Sequence, residues 1–148
     1  MANPVSARDI RRVIANATSL QVADRANIIM RVLAAMSACG VNQVLMMPEN
    51  GGICSLLKRG LQREQKLGDN RFPKLEMTDT PISGTVDDTF AATQAMVASG
   101  VKAIVVLGGD GTHRAVVKVC GQVPIAGIST GTNNAFPEHR EPTITGLA

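Results

Sequence analysis

The feature that most constrains this chain is an alternation. Stretches with apolar residues at helical spacing are separated by short apolar runs, and no hairpin signal joins any two of those runs. Strands without hairpins need crossover connections, and crossovers place strands parallel. The expected fold class is therefore α/β, a parallel sheet in three layers with helices on both faces. The 148 residues are one domain's worth of chain.

Ser6 is placed as the N-cap of a first helix, with Asp9 in its first turn and Ile10, Val13, Ile14 and Ala17 on its apolar face. Asp24 caps a second helix, striped by Ile28, Ile29, Val32, Leu33 and Met36, and Gly40 stands where a left-handed C-terminal residue belongs. Val41 to Met47, stopped by Pro48, reads as a buried strand. Ile53, Leu56, Leu57 and Leu61 share one face of a third helix over 51–65, and 66–73 is a polar loop. Lys74 to Thr78 is a weakly marked strand, followed by turn chemistry over 79–84. Thr85 with Asp88 resembles a capping box, and Val86, Phe90, Thr93 and Val97 form a helical face that ends at Gly100. Ala103 to Leu107 is the clearest strand. A helix over 112–120 closed by Gly121, a strand over 123–128, a turn over 129–134 and a helix opened by Pro142 complete the chain.

Composition acts as a filter on function. A hydrophobic share of 45% and a charged share of 18% are those of an ordinary folded globule. A net charge of +3, no Trp, no Tyr and three Phe leave neither the basic footprint nor the stacking platform of a nucleic-acid binder. No apolar run is longer than that of Ala103 to Leu107, far short of the roughly 20 residues of a membrane helix. The amino terminus has no apolar core behind a basic start, so no secretory signal is expected. Cys39, Cys54 and Cys120 are odd in number and widely spaced, which suits neither a disulfide framework nor a zinc site; all three read as reduced packing residues. A cytoplasmic protein with no membrane and no nucleic-acid partner is expected.

In open parallel sheets ligands collect at the carboxyl ends of strands, where the following helices present unpaired N–H groups and positive dipole ends. Three turns at such positions are rich in small polar residues. The first is GGDGT, Gly108 to Thr112, between the best strand and a helix, where the N–H groups of Gly111, Thr112 and His113 are expected to face an anion. The bland reading is a tight turn with Asp110 as N-cap. The second is STGTNN, Ser129 to Asn134, which local Asx turns of Asn133 and Asn134 would also explain. The third is Asn3, Pro4 and Ser6, where capping by Ser6 suffices without a ligand.

These segments carry a resemblance. GGDGT, the later GTNN and the opening NPVS are similar to the three signature segments of the superfamily of NAD kinases, diacylglycerol-type lipid kinases and sphingosine kinases. The strings GGDGTHRAVV and PIAGISTGTNNAFPE resemble more narrowly the acetoin-catabolism X proteins, an NAD-kinase-like branch, and the likeness covers the whole chain. GGDG alone is shared with phosphofructokinases; the three segments in order are far more specific. The resemblance implies a Rossmann-like nucleotide-binding domain over 1–148 with ATP and Mg²⁺ as ligands. It also implies a carboxyl-terminal β-rich domain that this chain does not contain. An apolar strand should run into the first motif, and only Met1 and Ala2 stand ahead of Asn3. An unfilled place in a parallel sheet would expose edges that invite homo-oligomers.

By the same resemblance Gly108, Gly109, Gly111 and Thr112 cradle phosphate. Asn133 and Asn134 orient ribose or phosphate oxygens, and Asn3, Ser6, Thr130, Gly131 and Thr132 complete the nucleotide site. Asp110 carries catalysis. A carboxylate beside phosphates is repelled by roughly 4 kcal/mol per unit charge at about 4 Å and an effective dielectric of about 20, so it needs a compensating role. Either it helps hold a metal that bridges the phosphates, or it accepts the proton of the attacking hydroxyl. No metal-ligand set is assigned. His113 and Arg114 read either as cationic neighbours of the phosphates or, the favoured reading, as solvated first-turn helix positions. Two functions stay open: an ATP-dependent phosphotransferase acting on a small hydroxyl acceptor, with NAD among the candidates, and a non-catalytic nucleotide-sensing or accessory domain of acetoin catabolism. The 148 residues alone are expected to bind nucleotide without turnover.

Overall fold

The computed structural model describes residues 1–2, 21–68, 71–130, 134–135, 137 and 140–148. The expected helix headed by Ser6 lies outside them. Helix α1 (Val22–Ala38) begins two residues ahead of the expected cap, because Asp24 lies inside the first turn, where its carboxylate accepts from the Gln21 N–H at 3.1 Å. Gly40, at φ +87°, takes the left-handed position after the helix, as the sequence requires. Strand β1 (Gln43–Met46) leads to α2 (Ile53–Lys66), whose start is held by Glu49: its carboxylate accepts from the N–H of Gly51 and of Cys54, at 2.5 and 2.7 Å. Strand β2 is Lys74–Met77 and α3 is Val86–Ala98. The Thr85 hydroxyl caps α3 through the Asp87 N–H at 3.2 Å. Asp88 reaches further back than a capping box does, to the N–H groups of Ser83 and Gly84 at 2.8 and 2.7 Å, and with the Ser83 hydroxyl these bonds hold its carboxyl below the usual carboxylate range. Strand β3 (Ile104–Gly108), α4 (Asp110–Val119), β4 (Ile125–Ser129) and α5 (Pro142–Leu147) follow.

The strands pair in parallel, as the absence of hairpins demands. β1 pairs with β2 from Gln43 opposite Lys74 to Met46 opposite Met77, and β3 pairs with β4 from Ile104 opposite Ile125 to Gly108 opposite Ser129. Among the described residues these are two separate pairs, whereas the sequence led to one continuous sheet. Between them stands the first dipeptide. The Met1 amino group donates to the Val105 carbonyl at 2.6 Å, the Leu107 N–H donates to the Met1 carbonyl at 2.7 Å, and Ala2 bridges Leu107 in parallel. A cavity of about 70 Å³ lies beside the dipeptide, walled by residues of both pairs and by the apolar stripe of α1.

Strand residues alternate between two sides, which is why their runs are apolar throughout. Leu107 and Ile128 join Val32, Ile53 and Leu57 in a core beneath α1 and α2, while Ile104 and Val106 pack on Val116 and Cys120 of α4. Met47, Ala92 and Met96 form a third cluster with α3. α5 lies on α1 through an Arg31–Glu141 ion pair and the close approach of Gly146 to Val32. Cys39 is exposed, contrary to the packing role expected of it; as C-cap of α1 it sits where the chain turns outward. Among the described helices none is long and apolar enough to cross a membrane.

Candidate functional site

The carboxyl ends of β3 and β4 lie side by side, since Gly108 and Ser129 are partners in the ladder. The two Gly- and Thr-rich turns therefore leave neighbouring strands at the same edge, as required of two loops that line one cleft. The Thr130 N–H donates back to the Gly108 carbonyl at 3.4 Å.

Helix α4 starts at Asp110, two residues before the expected position, and its N-cap is Gly109 in extended conformation. Asp110 is thus not the N-cap that the bland reading made it. The expectation for the N–H groups also needs correction. Those of Thr112 and His113 turn inward to the Gly109 carbonyl at 3.0 and 3.2 Å, closing the first turn. The first-turn N–H groups with no acceptor inside the helix lie one step earlier, at Gly111 and at Asp110, whose N–H donates to Asn134 Oδ1 at 3.4 Å. None of the turn's three glycines has a positive φ. Their need is for space: a Cβ on Gly108 would meet the buried Thr112 side chain at 2.8 Å, one on Gly109 would meet Asn134 Oδ1 at 3.1 Å, and one on Gly111 would face open space.

Asn134 ties the turns together. Its Nδ2 donates to the Ser129 hydroxyl at 2.5 Å, and its Oδ1 accepts from the Asp110 N–H at 3.4 Å. The Asp110 carboxylate in turn accepts from the Ala135 N–H, at 3.1 and 3.0 Å to its two oxygens. The sequence pattern named Asn134 as a ligand group; the geometry adds a bracing role and brings in Ser129. Thr130 is buried beside the same ladder end. Of the other site residues expected from the sequence, Asn3, Ser6, Gly131, Thr132 and Asn133 lie outside the described residues.

Arg114 is exposed, as expected. His113 is not: only 7% of it is accessible, and its Nδ1 lies 2.9 Å from the Gly109 carbonyl. The helical period held the signal. With α4 starting at Asp110, positions 112, 113, 115 and 116 form its inward stripe, all of them buried. No group of three or more His, Cys, Asp and Glu side chains comes together among the described residues.

A strand, a glycine turn that opens a helix, and a second polar turn on the adjacent parallel strand place the chain among α/β proteins with a polar crevice at the carboxyl ends of parallel strands. The chain matches the ATP-NAD kinase N-terminal domain family over residues 12–148, and it belongs to that family. It is 62% identical, over all 148 residues, to the acetoin catabolism protein X of Cupriavidus necator (strain ATCC 17699 / H16). Those residues span 41% of that relative's length. No solved structure matches the chain.

Proposed function

We propose that this chain is the nucleotide-binding part of an NAD-kinase-like phosphotransferase, a Rossmann-like layered domain that takes ATP at the paired ends of β3 and β4. The observation that carries this reading is the opening of α4: the Gly111 N–H in its first turn, the Asp110 N–H held at 3.4 Å by Asn134 Oδ1, the positive end of a helix of 10 residues, and open space over Gly111 where an anion can approach. The 62% identical relative supports a place in acetoin catabolism. Gly108 and Gly109 keep the floor of the site free of side chains, while Thr112, Thr130 and Asn134 supply polar groups at its edge. Asp110 stands beside the phosphates and accepts the proton of the attacking hydroxyl as its oxygen bonds to the terminal phosphorus and the bond to the departing nucleotide oxygen breaks. The Ala135 N–H occupies only part of the carboxylate's acceptor capacity.

Mg²⁺, when bound, neutralises phosphate charge. With no cluster of acidic or imidazole side chains among the described residues, its ligands would be phosphate oxygens and water. The remainder of the longer polypeptide is proposed to complete the acceptor site, with NAD as one candidate acceptor, so the 148 residues bind nucleotide without turnover.

Thermal unfolding followed by far-ultraviolet circular dichroism tests the reading. Mg-ATP at a hundredfold excess over its Kd should stabilise the chain by about 2.7 kcal/mol. Gly109→Val, whose Cβ stands 3.1 Å from Asn134 Oδ1 and whose methyl groups occupy the floor of the site, should abolish the shift. An equal shift in that variant would place the nucleotide elsewhere.

A further inference from the structure

The carbonyl oxygen of Gly109 accepts three hydrogen bonds. The Thr112 and His113 N–H groups supply two, the ordinary closing bonds of a first helical turn, and the His113 side chain supplies the third at 2.9 Å. A carbonyl can only accept, so Nδ1 carries a proton in this contact. Among the described residues the Nε2 of that ring is buried with no partner, which is a standing cost to the fold. Packing alone would be served better by an apolar ring. Room for the imidazole is made by a missing side chain on the neighbouring strand, since a Cβ on Gly127 would lie 2.6 Å from Nε2. Across the same planar peptide, the Asp110 N–H points the opposite way, toward Asn134 Oδ1.

We propose that His113 is a positioning residue of the candidate phosphate turn. It locks the Gly109–Asp110 peptide so that the Asp110 N–H faces the anion site, and Gly127 provides the space that lets the ring reach its place. The inference rests on the reading of that turn as a phosphate site. It explains why an imidazole with one unsatisfied nitrogen occupies a core position: the donor on Nδ1 does what no apolar side chain can do, and the orphaned Nε2 comes with it.

The test separates donor from volume. His113→Phe keeps a ring and removes the donor; His113→Asn keeps a donor near the position of Nδ1 and loses volume. Dissociation constants for ATP and for adenosine are measured by calorimetry, alongside melting temperatures. His113→Phe should melt at or above the wild-type temperature, bind ATP about tenfold more weakly, as befits a misaligned charge-assisted hydrogen bond, and bind adenosine unchanged. His113→Asn should melt lower yet recover most of the ATP affinity. ATP affinity that follows melting temperature across the series, or is unchanged in His113→Phe, overturns the proposal. If His113→Phe does not fold, Gly127→Ala displaces the ring instead and must show the same selective loss of ATP. If the wild type binds no ATP, the phosphate reading itself falls. The locking is then decided by hydrogen exchange at the Asp110 amide of the free protein: faster exchange in His113→Phe than in wild type and His113→Asn upholds it, and equal exchange overturns it.

Discussion

Two interactions compete for the carboxylate of Asp110. In the free protein it receives the Ala135 N–H, which neither requires nor reports catalysis, because an amide oxygen can accept the same bond. Asp110→Asn should therefore leave the unfolding free energy within about 0.5 kcal/mol of wild type. Affinity for ATP should be equal or improved, since a negative charge has left the neighbourhood of the phosphates. Phosphoryl transfer by the longer polypeptide should disappear in a coupled assay of ADP release; retained turnover would remove Asp110 from the chemistry. The thiols divide as sharply. Cys39 is exposed, Cys120 is buried, and burial beside Glu49 pushes the Cys54 thiol up to about 11. A chromogenic disulfide reagent at pH 8 should modify one thiol rapidly in the native protein and all three only after unfolding. The sequence marked the two turns that the β3–β4 ladder brings together, since small polar residues beside glycine after a strand announce a turn whether or not a ligand sits there. Which N–H groups turn outward was not legible, because a two-residue error at the start of α4 rotates every first-turn position by about 200°.

At the scale of elements, boundaries follow partners more than propensity. The apolar run 41–47 contains a strand of only Gln43 to Met46, because the β2 partner available to it covers Lys74 to Met77. Helix ends were easier to read where a chemical requirement marks them: Gly40, Gly100 and Gly121 all take positive φ just past the helices they end, and Pro142 opens α5. Starts were harder to read. Glu49 and Asp88 cap from unusual distances, through bonds that no fixed sequence spacing announces. Packing between elements was not legible at all, and Gly146 shows why. A Cβ there would stand 2.6 Å from the Val32 carbonyl and 2.7 Å from the Ala35 Cβ, so this glycine sets the distance of α5 from α1. Helix propensity favours alanine at such a position, yet Gly146→Ala should cost about 1–3 kcal/mol in urea unfolding by forcing the helices apart. A neutral result would mean that α5 is not held against α1 in solution.

At the scale of the molecule, the place between the two strand pairs governs stability. Met1 and Ala2 make ladder bonds with β3, yet the cavity beside them is walled by apolar side chains of α1, β1 and β3. The Met1 amino group sits in that surrounding with no carboxylate among the cavity-lining residues, and burial lowers its pKa from 8.0 to about 6. Between those values the unfolded chain holds more protons than the folded one, so stability must rise with pH over that window. The penalty is absent above about pH 8 and complete below about pH 6, where it amounts to about 2 to 3 kcal/mol. Urea unfolding at pH 6 and pH 8 should show this difference, and acetylating the amino group should flatten it by removing the titrating charge. Four Val- and Ile-rich residues joined ahead of Met1 should do more. They convert the amine into a ladder peptide and fill the cavity with apolar side chains, so the melting temperature should rise by at least about 5 °C. Four residues alternating Lys and Glu remove the same charge but cannot enter an apolar slot. Equal melting temperatures for the two extended chains would show that the cavity is not a strand position.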